Sequence, residues 1–204
     1  MVASVPSDYQ TLLDQIRVRV PGALDSAILL ELGAVLLDFF DTTNCWTEDL
    51  SVITAANITD YFLPLPSMGV VKRLIGVVDA VSCVPWRNVM YVPDESKIIF
   101  AYSPNSSTNL SVIATVAIIP DIRIPLNIPV WVWSQYRNGL VDGVLARMFS
   151  QLARPYSSPP LAKLHYGQYV MMCSQARTEA SHKGNYRGQA WRFPTFSSAR
   201  RRYR

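Results

Sequence analysis

Residues 129–150 read PVWVWSQYRNGLVDGVLARMFS, and this stretch decides the fold class. Val132, Tyr136, Leu140, Val144 and Met148 recur every four residues, the spacing that stacks side chains on one face of a helix. Pro129 stands where a helix tolerates proline, at its start, and Arg154-Pro155 stops it, so a helix is expected over about 130–153. Gly139 and Gly143 fall one turn apart on a common face. A glycine inside a helix costs about 1 kcal/mol relative to alanine, so close approach of a neighbouring element is the expected compensation.

Working outward, Ser158 and Pro159 open a last helix expected over about 159–181, with serine as cap and proline in the first turn. On the other side, a proline-punctuated link (120–129) leads back into a region of different period. Six short β-rich runs fall at 46–54, 60–65, 70–81, 89–92, 97–102 and 110–119, separated by turn clusters such as Pro93-Asp94-Glu95-Ser96. That pattern predicts a compact antiparallel unit over about 46–120, with the runs at 97–102 and 110–119 read as a hairpin closed by a long polar loop.

Two helices are expected before it. Ser7 or Asp8 can cap the first, over about 8–20, which puts Tyr9, Leu12, Leu13, Ile16 and Val20 on one face before Pro21-Gly22 ends it. Asp25 can cap the second, over about 25–42. Ala27, Glu31, Ala34, Asp38 and Asp41 form a narrow small or polar stripe there, and nearly everything else is large and apolar. A helix so apolar is covered on most sides, partly by its own core and partly by a neighbouring subunit. The fold class is therefore α+β: about four helices bundled around a central antiparallel β-rich insert. The main domain spans 1–180, followed by an extended C-terminal arm over 181–204.

Half of the 204 residues are hydrophobic and 17% are charged, enough to bury a core and too apolar for disorder. The net charge of +4 hides a split. From Arg177 onward there are eight bases and one acid, Glu179, a net of +7, whereas the first 176 residues carry eleven bases and fourteen acids, a net of −3. Tyr186, Trp191, Phe193, Phe196 and Tyr203 are interleaved with that basic tail. Solvated tails are poor in aromatics. The combination fits either nucleic-acid binding by phosphate neutralisation and base stacking or docking on a protein through aromatic anchors and arginine pairs.

Chemistry leaves few marks. Cys45, Cys83 and Cys173 fall in three different elements without a CxxC pair, and the two histidines, His165 and His182, stand seventeen apart. Neither phosphate-binding glycine loops nor zinc-protease or nucleophile-elbow motifs occur. No enzyme activity, cofactor or metal is expected. The opening MVASVPSDYQ lacks a cationic stretch followed by an apolar run, so neither a secretory leader nor a membrane span is expected.

The order of elements, with Trp46 at the helix-to-sheet junction, resembles the head-to-tail adaptor (connector) proteins of tailed bacteriophages, a family that includes the tail tubular adaptor of short-tailed phages. The quoted 129–149 segment, the Arg154-Pro155-Tyr156-Ser157-Ser158-Pro159-Pro160 link with Tyr166, Tyr169 and Ala176 after it, and the Asp25–Phe40 helix ending in Asn44-Cys45-Trp46 carry the resemblance. It covers about Asp8 to Ala180. It implies a structural virion protein, assembled in the host cytoplasm and resident in the neck: a ring, typically of twelve copies, beneath the portal. Double-stranded DNA would pass through its lumen without sequence-specific binding, and the next tail component (nozzle, tail tube or stopper) would seat below. The arm would then dock on the portal through Tyr186, Arg187, Trp191, Arg192, Phe193, Phe196, Arg200, Arg201, Arg202, Tyr203 and Arg204. Leu29, Leu32, Leu36, Gly139 and Gly143 would serve subunit packing. The alternative is a nucleic-acid-binding or coat protein that uses the same basic arm.

Overall fold

The computed structural model describes residues 7–55, 57–64, 69–82, 84–101, 110–120 and 128–185. The chain is mixed α+β, with four helices and two small antiparallel sheets among the described residues. Helix α3 (Val130–Ser150) is the one on which the others pack: α1 (Ser7–Arg19), α2 (Asp25–Thr43) and α4 (Pro159–Asn185) all lie against it. Its own sequence explains why. Val132, Trp133, Tyr136, Leu140, Val141, Val144, Leu145 and Met148 are all buried, on more than one face, and each large apolar side chain taken out of water contributes roughly 1.5–3 kcal/mol.

α1 adds Leu12, Leu13 and Ile16 to this core, Val20 just after it adds another, and α2 adds Ile28, Leu32, Val35, Leu36, Phe39 and Phe40. Asp25 does not cap α2. The N-cap is Leu24, without a side-chain bond, because the Asp25 carboxylate is taken by Arg17 of α1 through two bonds of 2.9 and 2.7 Å. At its other end Asn44 adopts a left-handed conformation (φ 50°), and its N–H closes on the Phe40 carbonyl. α3 ends three residues earlier than its spacing predicts. The Gln151 N–H tightens onto Met148 O at 3.1 Å, and Ala153 turns left-handed (φ 59°). α4 runs through position 180 to Asn185.

The six strands are β1 (Thr47–Thr54), β2 (Asp60–Phe62), β3 (Gly69–Asp79), β4 (Val89–Val92), β5 (Lys97–Phe100) and β6 (Leu110–Pro120). They form two sheets. The sheets are ordered β1-β6-β3 and β2-β5-β4, so the expected hairpin between 97–102 and 110–119 is corrected: those strands belong to different sheets. β5 pairs with β2 and β4, while β6 pairs with β1 and β3. The burial of β6 gives the reason. Val112, Ala114, Val116 and Ile118 are buried along one face, and Ala117 is buried on the other, which is the state of a central strand rather than a hairpin arm.

β3 shows how a sequence of the wrong period can still make a strand. Its inward residues Val71, Leu74 and Val77 are three apart, not two. The register slips between Val71 and Arg73 and again between Leu74 and Gly76, so two bulges absorb Lys72 and Ile75. Val71, Leu74 and Val77 then sit opposite Ile118, Val116 and Ala114, all on the buried face of β6. The sheets meet where β3 runs into β4: the Trp86 N–H donates to Val77 O at 2.8 Å and the Tyr91 hydroxyl to Val71 O at 3.1 Å. Near β1 and β2 the Tyr61 hydroxyl accepts from the Ala55 N–H at 2.8 Å and faces the Ala55 and Ile58 carbonyls.

Candidate functional site

The eleven arm residues expected to contact a portal (Tyr186, Arg187, Trp191, Arg192, Phe193, Phe196, Arg200, Arg201, Arg202, Tyr203 and Arg204) lie outside the described residues. What is described is the base from which they follow, the last turns of α4. Arg177 donates from Nε and Nη2 to the Thr42 carbonyl at 2.9 and 2.7 Å. That oxygen is one of the unpaired carbonyls at the C-terminal end of α2, where a cation is favoured. Glu179 accepts from the Tyr136 hydroxyl at 2.7 Å and from Gln135 and Gln175, both at 2.9 Å. Burial, reinforced by the Glu179 carboxylate, holds the Tyr136 phenol protonated well above its ordinary range. The carboxy-terminal part of α4 is thus fixed to α2 and α3 by charge-assisted bonds.

The expected subunit-packing residues divide. Leu32 and Leu36 are each 1% exposed and are taken up by the chain's own core. The glycines are also used internally. A Cβ on Gly139 would stand 2.5 Å from Met172 Cγ, and one on Gly143 would stand 2.8 Å from both Tyr169 Cδ2 and Val35 Cγ1. The close approach foreseen at these positions is real, but the neighbours are α4 and α2 of the same chain. Only Leu29, at 37% exposure, keeps a substantial outward surface.

The carboxylates of the polar stripe of α2 are likewise bonded within the chain, at its surface. Glu31 pairs with Arg147 of α3 at 2.6 Å, Asp38 accepts from the Tyr169 hydroxyl of α4 at 2.7 Å, and Asp41 pairs with Lys72 of β3. One stripe therefore ties α2 to three different elements. Sequence reading identified the stripe but not its partners, which lie 31 to 131 positions away. Burial, with the Asp38 carboxylate alongside, pushes the Tyr169 phenol far up.

A histidine–carboxylate pair that sequence reading missed joins α3 and α4: His165 Nδ1 lies 2.8 Å from Asp142 Oδ1, with the ring stacked on Phe149. No local motif announces it, since the two residues are 23 apart. A carboxylate on Nδ1 orients an imidazole as in a hydrolase, but among the described residues no hydroxyl or thiol is bonded to the ring. Cys173 is half-buried and burial pushes its thiol up, away from the activated range. Cys45 accepts from the Thr43 hydroxyl at 3.2 Å; Cys83 lies outside the described residues.

Among the described residues no cluster of His, Cys, Asp and Glu has the makings of a metal site, and no helix is long and apolar enough to cross a membrane. A groove of about 420 Å³ lies between β3 and β4, lined by Lys72, Arg73, Ile75, Trp86, Asn88 and Tyr91. A scan against protein-family models and a search of curated proteins found no match to the chain.

Proposed function

We propose that the chain is a structural connector of a phage neck, a head-to-tail adaptor that assembles as a ring beneath the portal, extends the DNA channel and receives the next tail component. In this reading each subunit is a helical bundle carrying the β-rich insert, with the basic aromatic arm as its portal contact. The observation that carries it is the segregation of charge on a braced helix. The body is acidic by three charges and the segment from Arg177 is basic by seven, while the helix that leads into the arm is clamped by Arg177 and Glu179 to α2 and α3. An acidic wall does not grip passing phosphates. Arms repeated around a ring gain by multivalency what each lacks in affinity.

The rival, a nucleic-acid-binding or coat protein, draws on the same arginines, and a single experiment separates the two. The full chain and a form ending at Asn185, which keeps all of α4, are tested for capture by the portal ring. Both are also titrated with duplex DNA at rising salt. The connector predicts capture by the portal that is lost on truncation, with weak DNA binding. Steeply salt-dependent DNA binding through the arm, without portal capture, would overturn it.

A further inference from the structure

The edges of the two sheets are not guarded alike. β2 and β4, the edges of one sheet, are three and four residues long, and short edges are poor templates for another strand. β3, an edge of the other sheet, carries two bulges together with Lys72 and Arg73, and its Val77 and Val71 carbonyls are taken by Trp86 and Tyr91. β1, the opposite edge, has none of these devices. It pairs with β6 through eight consecutive residues without a slip in register, and its sequence TEDLSVIT contains no lysine, proline or glycine.

The bonding pattern fixes which groups of β1 are left over. The Ile118 N–H donates to Trp46 O at 2.9 Å, which makes 46 and 118 a hydrogen-bonded pair. Such pairs alternate along an antiparallel ladder. Glu48, Leu50, Val52 and Thr54 therefore turn their main chain to β6, while Thr47, Asp49, Ser51 and Ile53 turn theirs to the open edge. Thr47, Ser51 and Ile53 have no main-chain partner on that side among the described residues. A row of N–H and C=O groups of this kind is a template for an added strand.

The charges of β1 select what can pair there. The strand holds two acids, Glu48 and Asp49, and no base, so a second β1 or any acidic strand is repelled and a basic one is attracted. The most basic stretch of the chain is its own arm: residues 186–204 carry six arginines and no acid. Within the arm, Gln189-Ala190-Trp191-Arg192-Phe193 stands between Gly188 and Pro194, and its aromatics favour a strand. The edge is within reach. Arg177 is bonded to the Thr42 carbonyl, and Thr47 follows Thr42 by five residues, at most about 18 Å of chain. Asn185 lies eight residues, about 12 Å of helix, beyond Arg177. The nineteen residues after Asn185 span about 60 Å when extended.

We infer that the arm folds back on its own chain and adds residues 189–193 as a strand on the open edge of β1, with its arginines beside Glu48 and Asp49. Main-chain bonds to the edge supply the affinity of such a contact, and the charges supply its selectivity. The inference does not depend on the connector reading. Where both hold, the portal takes the arm from β1, and the edge keeps the arm covered until then.

The test uses the full chain and reads amide hydrogen exchange residue by residue. The variant Ala190→Pro with Trp191→Pro removes two adjacent donors, so whichever of them faces β1 is lost. Thr47, Ser51 and Ile53 should exchange at least tenfold faster in this variant than in the native chain. Leu50 and Val52, whose N–H groups serve β6, should keep their rates, which separates release of the arm from loss of the fold. Ser51→Pro, at an edge position whose N–H makes no bond to β6, should likewise speed Thr47 and Ile53. Exchange of Thr47, Ser51 and Ile53 at open-chain rates in the native protein overturns the inference. So does protection that survives the arm prolines, which would mean that another segment covers the edge. Protection that fades on 100-fold dilution would assign the strand to another copy and overturns it as well.

Discussion

Raising the pH above 10 should unfold this protein through two buried phenols. Tyr136 and Tyr169 are each 5% exposed and donate to carboxylates, Glu179 and Asp38, at 2.7 Å. Burial and those carboxylates both penalise a phenolate, so each folded phenol keeps its proton where an unfolded one, with an ordinary pKa of about 10, gives it up. Above pH 10 the folded state therefore binds more protons than the unfolded state, and stability falls with pH. The loss is about 1.4 kcal/mol per pH unit for each group, or roughly 5 kcal/mol for the pair by about pH 12. That is comparable to the whole stability of many domains.

Tyr169→Phe isolates one of the two contributions. It removes a charge-assisted bond to an exposed carboxylate that water can rehydrate, so at pH 8 it should cost about 1–2 kcal/mol. It also removes one of the two alkaline penalties, so the stability curves of the native chain and the variant should cross near pH 11. Urea unfolding followed by circular dichroism between pH 8 and pH 12 gives both curves. Lys97, whose pKa is raised by Glu95, is present in both proteins and drops out of the difference. Parallel curves would refute the reasoning. So would a folded protein in which all ten tyrosines ionise together around pH 10.

Two further substitutions probe the internal packing. Gly143→Ala gains about 1 kcal/mol of helix propensity but drives a methyl group against Tyr169 and Val35 at 2.8 Å. Overpacking of that kind costs about 1–3 kcal/mol, so the melting temperature should fall by a few degrees; a rise would show that the helices part freely. Tyr61→Phe leaves the Ala55 N–H and the carbonyls beside it without the phenol that joins them. A loss of about 1–3 kcal/mol is expected in urea unfolding, and an unchanged midpoint would show that the phenol does not hold the turn.

The helices were legible because their signals are local. Val132 to Met148 repeats at helical spacing, Pro21-Gly22 and Arg154-Pro155 stop the elements beside them, and the observed ends differ by at most four residues from those expected. The strands were legible as segments but not as pairs. β5 and β6 are neighbours in sequence, yet their partners are chosen by which faces can be buried, and the burial of Ala117 on the far face of β6 is a tertiary fact. The spacing of Val71, Leu74 and Val77 looks wrong for a strand until two bulges are allowed. Gly139 and Gly143 signalled close approach correctly, but a glycine does not say whose side chain fills the space. The carboxylates of α2 were visible as a stripe, and only the folded chain supplies Arg147, Tyr169 and Lys72 to meet them. His165 and Asp142 carry no mutual signal at all.

The pairing of β1 with β6 also sets a timetable for synthesis. Thr47 waits for Ala117 and Thr54 for Leu110, so about 56 residues beyond Thr54 must be made before the first of these pairs can close. At roughly 5–20 residues per second the ribosome needs on the order of 3–11 s for that. During this interval β1, with Ile53 facing outward at 69% exposure even in the finished fold, is an unpaired strand on a nascent chain. The central helix α3 emerges later still. The amino-terminal helices and the first strand must therefore stay clear of other chains until the carboxy-terminal half arrives, which makes translation speed across residues 55–120 a determinant of yield.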